Sequence, residues 1–391
     1  MLGRTNDELP SWVRTAPLNC DDPLAQARSL RSLIEEEAEE GERNGQITDR
    51  AMKAIADAGI LGIQVPKALG GSELGARDYY DVVEELSYAD GSTGWTVMAV
   101  LSATLGAARS LHPDAVNAIF QSGRGIPIGG HVSALGRAKI VDGGYVVSGD
   151  YQFGSGTRFA SWILGAYAVE KDGEPIFTED GKPKMIIGIV PREGIRLTGN
   201  WDVMGLAGTG SYDFQVLEQF MPDEFVVDIE RAVGAPIGHA AWCMGVARRA
   251  LDEIKALAQN KKRFGRTTTI DQPLFQYRYA QNYAAVEAAR SLIRNVTPAW
   301  EEADKAGALD MEIRARARLA QCWATRIAAE AVDFAYHASG SDGLRNKGGQ
   351  NRLQRCFRDI HAGTQHRQID DNIAIDCAAV LLGVAAPTVR L

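Results

Sequence analysis

The sequence predicts an α+β chain of helical, β-rich and helical segments, in that order. Three observations carry the prediction. From Ile126 to about Val227, short β-prone runs alternate with turn residues. Before that stretch, from about 24 to 122, helix formers are punctuated by cap and stop signals. After it, apolar residues recur at alternating spacings of four and three, which lines them along one face of long helices. The implied boundaries are a loose, Pro-containing lead-in over 1–23, a helical domain over 24–125, a β-domain over 126–230 and a helical bundle over 231–391.

Each element has its own signal. Ala25–Arg43 is dense in Ala, Leu and Glu, which lose little freedom in a helix. Thr48 or Asp49 can cap the next helix, which ends near Gly59, and Gly59–Gly71 is a Gly- and Pro-punctuated connection. Asp78–Ala89 is helical, and Ser92 is placed to cap a long apolar helix over Thr93–Leu111. Arg137–Val141 and Tyr145–Ser148 flank Asp142-Gly143-Gly144, a hairpin signal because glycine adopts positive φ without strain. Trp162–Val169, Met185–Val190 and Asp213–Phe220 are further strands. Tyr283, Val286, Ala289, Ile293 and Val296 form one helical stripe. Ile313, Ala317, Ala320, Ala324, Ile327, Ala331 and Phe334 form another. Narrow, Ala-rich stripes suit an antiparallel bundle and contacts between subunits, so a homo-oligomer is expected.

Composition excludes several classes. The 391 residues suit two or three packed domains, and 45% hydrophobic with 24% charged residues is ordinary for a soluble globular chain. A net charge of −8 argues against a nucleic-acid partner. The chain has no run of 18 apolar residues and opens without a charged-then-apolar signal pattern. No membrane partner is therefore expected, and a cytoplasmic location is. The five cysteines form no CxxC pair and read as reduced, small apolar residues, with no metal site.

Five stretches concentrate chemistry. Ser148–Gly156 ends in Phe153-Gly154-Ser155-Gly156, where small residues let a backbone approach a flat ligand. The same residues also read as a glycine-rich strand end. Trp201–Asp213 is a turn-rich entry into a strand. Lys261–Arg266 holds cations at a helix end, either as a solvated cap or as a phosphate grip with Arg263 as the fork and Phe264 as a stacking face. Gly129–Ser133 places His131 and Ser133 at the opening of the β-domain, as a polar turn or as substrate ligands. Arg355–Gln368 packs two of the six histidines, several arginines and an Asp around Gly363. His361 and His366 lie five apart, about 140° around a helix, so they would not share a face or form a zinc pair.

These stretches, in a helix–sheet–helix order, resemble the acyl-CoA dehydrogenase fold: an N-terminal helical domain, a middle β-domain and a C-terminal four-helix bundle. Phe153 and Ser155 match the aromatic and hydroxyl positions of the family's flavin-facing strand. Gly205–Ser211 is similar to its Gly-x-Arg-Gly-Thr-x-Ser segment, with Ala207 where Arg is usual. Arg263-Phe264-Gly265-Arg266 resembles its phosphate- or adenine-binding pattern, with shortened spacing. His361-Ala362-Gly363-Thr364 falls where dehydrogenases carry Tyr-Glu-Gly-Thr, and Ala362 cannot take a proton. The alternative base position of the family falls near Ala235, with Glu230 the closest carboxylate.

The Gly-Ser-Gly form and the missing base resemble the branch of two-component flavin monooxygenases. That resemblance implies an oxygenase component that receives reduced FMN or FAD from an NAD(P)H-dependent flavin reductase. With O2 it would form a C4a-hydroperoxyflavin and hydroxylate a small aromatic, a phenol or an indole-like heteroaromatic. It implies His366 and Ser155 as catalytic. Phe153, Gly154, Ser155, Gly156, Arg263, Phe264, Thr364 and Gln365 would bind the cofactor. Substrate would meet His131, Ser133 and Ser102, the last on a helix that lacks the histidine of some phenol-hydroxylating relatives. A homotetramer is implied as well. The alternatives are an acyl-CoA dehydrogenase or flavin oxidase with a displaced base such as Glu230, and a non-catalytic relative acting as a binding partner.

Overall fold

Local capping and glycine turns fix where each element starts. A computed structural model describes residues 9–121, 127–179, 181–228, 236–262, 267–345, 351–386 and 391, with backbone alone for 133–135. Helices come first: α1 (Pro23–Ser29), α2 (Arg31–Asn44), α3 (Asp49–Asp57), α4 (Ala76–Ala89), α5 (Gly91–Ser110) and α6 (Pro113–Phe120). The sheet follows, with β1 (Ile128–Val141), β2 (Gly144–Tyr151), β3 (Trp162–Lys171), β4 (Glu174–Pro175), β5 (Met185–Pro191), β6 (Ile195–Leu197) and β7 (Phe214–Pro222). The chain then returns to helices: α7 (Gly238–Asn260), α8 (Pro273–Lys305), α9 (Met311–Ser339), α10 (Leu353–Gly363) and α11 (Asp371–Leu381).

Two expectations need correction. The helix expected over Ala25–Arg43 is interrupted at Leu30, whose N–H reaches back to Gln26 and Arg28 and closes α1. Asp90, not Ser92, caps α5: its Oδ2 accepts both the N–H and the Oγ1–H of Thr93 at 2.9 Å. The carboxylate stands just ahead of the first turn, where orphan amides need an acceptor, whereas Ser92 already lies inside it. Thr48 does cap α3, accepting from Ala51 N–H. The short strands β4 and β6 carry too few residues to show an alternating pattern.

By compactness the chain falls into two units. The first takes in Met1–Leu74, Thr96–Asp202 and Ala207–Gly234. It holds a seven-stranded sheet in the order β4-β3-β1-β2-β7-β6, with β5 paired to β3. The hairpin β1–β2 turns at Gly143, with φ 75°. All named pairings are antiparallel except β1 with β3. Val147, Tyr151, Ile163, Tyr167, Phe214 and Val216 are buried together in its core. Tyr151 stacks on Phe214 at 4.9 Å and donates to Ala166 O at 2.8 Å, so a buried hydroxyl keeps a partner.

The second unit takes in Gly75–Trp95, Val203–Leu206 and Ala235–Leu391. The α9 stripe is buried at Ala317, Ala320, Ala324, Ile327 and Ala331, and α9 packs against α7 and α8. A charge cluster fastens α4 to this bundle. Glu84 is buried, accepts from Arg290 Nε at 2.6 Å and Nη2 at 3.1 Å, and lies 3.6 Å from Arg248. Arg294 bonds Asp81 at 2.8 Å. Among the described residues no helix is long and apolar enough to cross a membrane.

Among the described residues, removing Glu84 leaves Arg290 only the half-exposed Glu287, 2.7 Å from its Nη1, as a partner. Glu84→Ala is expected to cost about 3–5 kcal/mol, read as a lowered urea midpoint of the whole chain. An unchanged midpoint would show that water already solvates Arg290.

Candidate active site

Two loops carry the residues that the sequence singles out, one in each unit. In the first unit β2 ends at Tyr151 and β3 begins at Trp162, on the other side of β1. The connection therefore crosses the start of β1, where Ser161 N–H bonds Pro127 O. Gly129 is required there, because a Cβ would lie 2.7 Å from the Thr157 nitrogen. Phe153 is held at φ 57°, a conformation that side chains avoid, and its N–H donates to Asp213 Oδ1 at 3.3 Å. Its ring is 57% exposed and stands edge-on to Trp201. Gly154 and Gly156 leave no room for side chains: a Cβ would meet the Phe214 ring or Val100 at 2.6 Å.

Ser155 lies between them, half-buried. Its Oγ is 2.7 Å from Ser211 Oγ, which donates to Thr209 Oγ1 at 2.9 Å. A hydroxyl has one proton. With Ser211's given to Thr209, Ser155 must donate to Ser211. The chain of hydroxyls thus makes Ser155 a donor inward and an acceptor toward any further partner.

In the second unit α10 ends at Gly363, whose carbonyl accepts two N–H groups at 3.1 Å. One is the backbone N–H of His366, the other Nε2–H of His239. A Cβ on Gly363 would run into the Trp242 indole. The His366 ring stands edge-on to Trp95 at 5.4 Å. Its Nδ1 accepts from Gln368 N–H at 3.4 Å, which puts the proton of the neutral ring on Nε2. His239 is buried; loss of water, then the nearby His366, pushes its pKa down to about 3. Thr364 Oγ1 donates to His361 O at 2.7 Å, and Gln365 Nε2 to Thr364 Oγ1 at 3.3 Å. His361 is occupied elsewhere, 2.8 Å from Asp333 Oδ1 and edge-on to Phe357.

Residues 25–109 match the family model for the acyl-CoA dehydrogenase N-terminal domain, and residues 237–371 match the one for its C-terminal domain. The chain belongs to the acyl-CoA dehydrogenase family. Within it the chain is a flavin-dependent monooxygenase. It is 28% identical over 367 residues to the oxygenase subunit HsaA, a flavin-dependent monooxygenase of Rhodococcus jostii (strain RHA1), covering 88% of this chain and 93% of that one. It is 27% identical over 391 residues to an indole-3-acetate monooxygenase of Pseudomonas putida, covering 95% and 97%. The crystal structure of a 3-HSA hydroxylase from Rhodococcus sp. RHA1 superposes with a TM-score of 0.83 at 25% identity, covering 93% and 98%.

The residues of the first loop fit a flavin. An exposed Phe153 ring beside the half-buried Trp201, two glycines with no room for side chains and a hydroxyl oriented to accept suit a planar ring with an edge N–H. Phe153, Gly154, Ser155 and Gly156 lie together in the first unit, and Thr364, Gln365 and His366 lie together in the second. His131 is half-buried at the start of β1 and Ser102 is exposed on α5, while the Ser133 side chain lies outside the described atoms. Arg263, Phe264, Glu230 and Ala235 lie outside the described residues. Sequence reasoning missed Ser211 and Thr209, Trp95 and His239. The first two sit in a stretch that looked like a strand entry, and the others are distant in sequence with no motif to join them.

A neutral buried imidazole has a consequence for stability. The unfolded ring protonates below about pH 6.5 and the folded one only near 3, so the unfolded state binds more protons between those values. Stability contributed by His239 is present above pH 6.5 and is lost as pH falls toward 3, by up to about 1.4 kcal/mol per pH unit. His239→Gln is expected to flatten that slope, measured as urea midpoints from pH 7 to pH 4. An identical slope in the variant would assign the acid lability to other groups.

Proposed function

We propose that this chain is the oxygenase component of a two-component flavin-dependent monooxygenase that hydroxylates a small aromatic, an indole-like heteroaromatic or a phenol. One observation carries the reading. The turn that ends α10 holds Ala362 where dehydrogenases of this fold need a carboxylate, and offers an imidazole, His366, with its neutral proton on Nε2. A proton donor suits oxygen chemistry where a base suits dehydrogenation. The relative named for indole-3-acetate, together with a hydroxyl rather than an imidazole on α5, supports an indole-like substrate.

Bound reduced flavin supplies the activation of dioxygen. The remaining contributions belong to the chain. Phe153 and Trp201 give aromatic faces for the ring, and Ser155, donating to Ser211, accepts from an edge N–H of the reduced form. His366 would offer the proton on its Nε2 to an oxygen that gains electron density. Trp95, packed on that ring, keeps water from it. Gly154, Gly156, Thr364 and Gln365 line the cofactor, Arg263 and Phe264 grip its phosphate or adenine, and His131, Ser133 and Ser102 meet the substrate. A separate NAD(P)H-dependent reductase delivers reduced FMN or FAD by diffusion, as the naming of a relative as an oxygenase subunit supports.

Rapid mixing of the chain, loaded anaerobically with reduced flavin, against oxygenated buffer tests this. A transient absorbing species between reduced and oxidised flavin is expected. His366→Ala and Ser155→Ala are each expected to shorten its lifetime about tenfold to a hundredfold. One-step return to oxidised flavin, even with indole-3-acetate present, would sink the reading and favour an oxidase.

We also infer a homotetramer built through the second unit. Leu274, Tyr277 and Tyr283 on α8 are 62%, 64% and 52% exposed, and Ile375 on α11 and Leu382 beyond it are 64% and 75% exposed. These exposed apolar side chains support contact with other copies. Sedimentation velocity should give close to four times 42.3 kDa; a monomer at micromolar concentration would refute it.

A further inference from the structure

His239 does no chemistry in the function proposed above, yet its surroundings settle every proton on it. Gly363 O can only accept, so Nε2 carries the hydrogen. Burial keeps the ring neutral, so Nδ1 is an acceptor, and the Thr325 hydroxyl lies 3.0 Å from it. The same hydroxyl donates to Gln321 O, also at 3.0 Å, so its one proton is divided between that carbonyl and the ring. The outer end of the chain is therefore fixed: Nε2–H of His239 donates to Gly363 O, with Nδ1 facing the Thr325 hydroxyl.

That carbonyl is where His239 and His366 meet. It takes the side-chain N–H of one and the backbone N–H of the other. The two rings are 5.7 Å apart, and Trp95 stands edge-on to both. Trp242 stands edge-on to Trp95 at 5.0 Å, is anchored by its own N–H on Gly91 O, and fills the space where a side chain on Gly363 would go. Aromatic rings thus pack against the turn, and beside the turn's own backbone bonds the His239 side chain ties its Gly363 carbonyl to α7.

We propose that His239 is a positioning residue for His366: its Nε2–H, aimed by Thr325, pins the Gly363 carbonyl and with it the turn that sets the His366 ring against Trp95. The catalytic consequence rests on the oxygenase function proposed above. The geometric claim does not, and it is tested without flavin.

Carbethoxylation of the full chain by diethylpyrocarbonate, followed peptide by peptide by mass spectrometry, reports how readily each histidine ring is reached. His112, exposed on the surface, serves as the internal reference. His239→Leu is expected to raise the His366 rate relative to His112 by roughly threefold to tenfold, the worth of one neutral hydrogen bond. Glutamine places its amide nitrogen where Nε2 sits, so His239→Gln is expected to restore the wild-type ratio. Asparagine reaches only the Nδ1 position, so His239→Asn is expected to behave like His239→Leu. Thr325→Val nearly keeps the side-chain shape and is expected to raise the ratio in the same direction, which decides the matter if the Leu and Asn variants fail to fold.

An unmoved ratio in cooperatively melting His239→Leu or Thr325→Val protein overturns the proposal. So does an equal effect of Gln and Asn, the signature of lost packing alone. Failure of the oxygenase function would show elsewhere: the oxygen-mixing lifetime would ignore His366→Ala, while the carbethoxylation ratio would still respond to position 239.

Discussion

Asp359 is the side chain on which the second unit depends. Its carboxylate is buried; Oδ1 accepts Leu206 N–H at 2.6 Å, and Oδ2 faces Gly91, where a Cβ would sit 2.6 Å away. One residue of α10 thereby ties down the 203–206 loop and packs closely against the first residue of α5. The loop accepts strain to reach it, since Leu206 lies at φ 55°. The adjacent Arg358 donates to Met204 O at 3.0 Å and Arg355 lies 3.8 Å from Asp90, so the neighbours repeat the same tie. A buried carboxylate without partners is costly enough that the segments serving it cannot drift apart. Gly363 and His366 stand one to two turns farther along, and the position of their turn is inherited from this anchor.

Much of the fold was legible because its signals are local. The hairpin at Asp142-Gly143, the Thr48 cap and the two long stripes each depend on residues within a few positions of one another. The β1–β3 pairing was not legible, since parallel strands leave no turn signature. The break at Leu30 was hidden because Ala, Leu and Glu favour helix on both sides of it. Of the site, the stretches that hold Phe153, Ser155 and His366 stood out by their density of glycine, hydroxyl and imidazole. What gives those groups direction did not. Ser211 and Thr209 orient the Ser155 hydroxyl from a segment that looks like a turn, and Thr325 orients His239 from the middle of an Ala-rich stripe.

The histidine-rich stretch also shows how equal residues acquire unequal properties. His361 pairs with Asp333 on a half-exposed face, its ring edge-on to Phe357. His239 is enclosed by Trp95 and Trp242 with a hydroxyl and a carbonyl, which favours a neutral ring. His366 is half-buried against Trp95 with one nitrogen engaged by Gln368 N–H. Spacing alone would group His361 with His366, but their partners separate them.

The crossover from β2 to β3 bears on the order in which the molecule can assemble. Residues 152–161 bridge strands that flank β1, so they gain a fixed course only after the β1–β2 hairpin has formed and β3 has docked in parallel beside β1. Parallel docking of this kind waits on loop closure, which makes it slow relative to hairpin formation. The segment bearing Phe153 and Ser155 is thus among the last parts of the sheet to become ordered. A ligand that grips it selects fully zipped molecules over partly zipped ones, and by mass action raises the resistance of the whole sheet to opening.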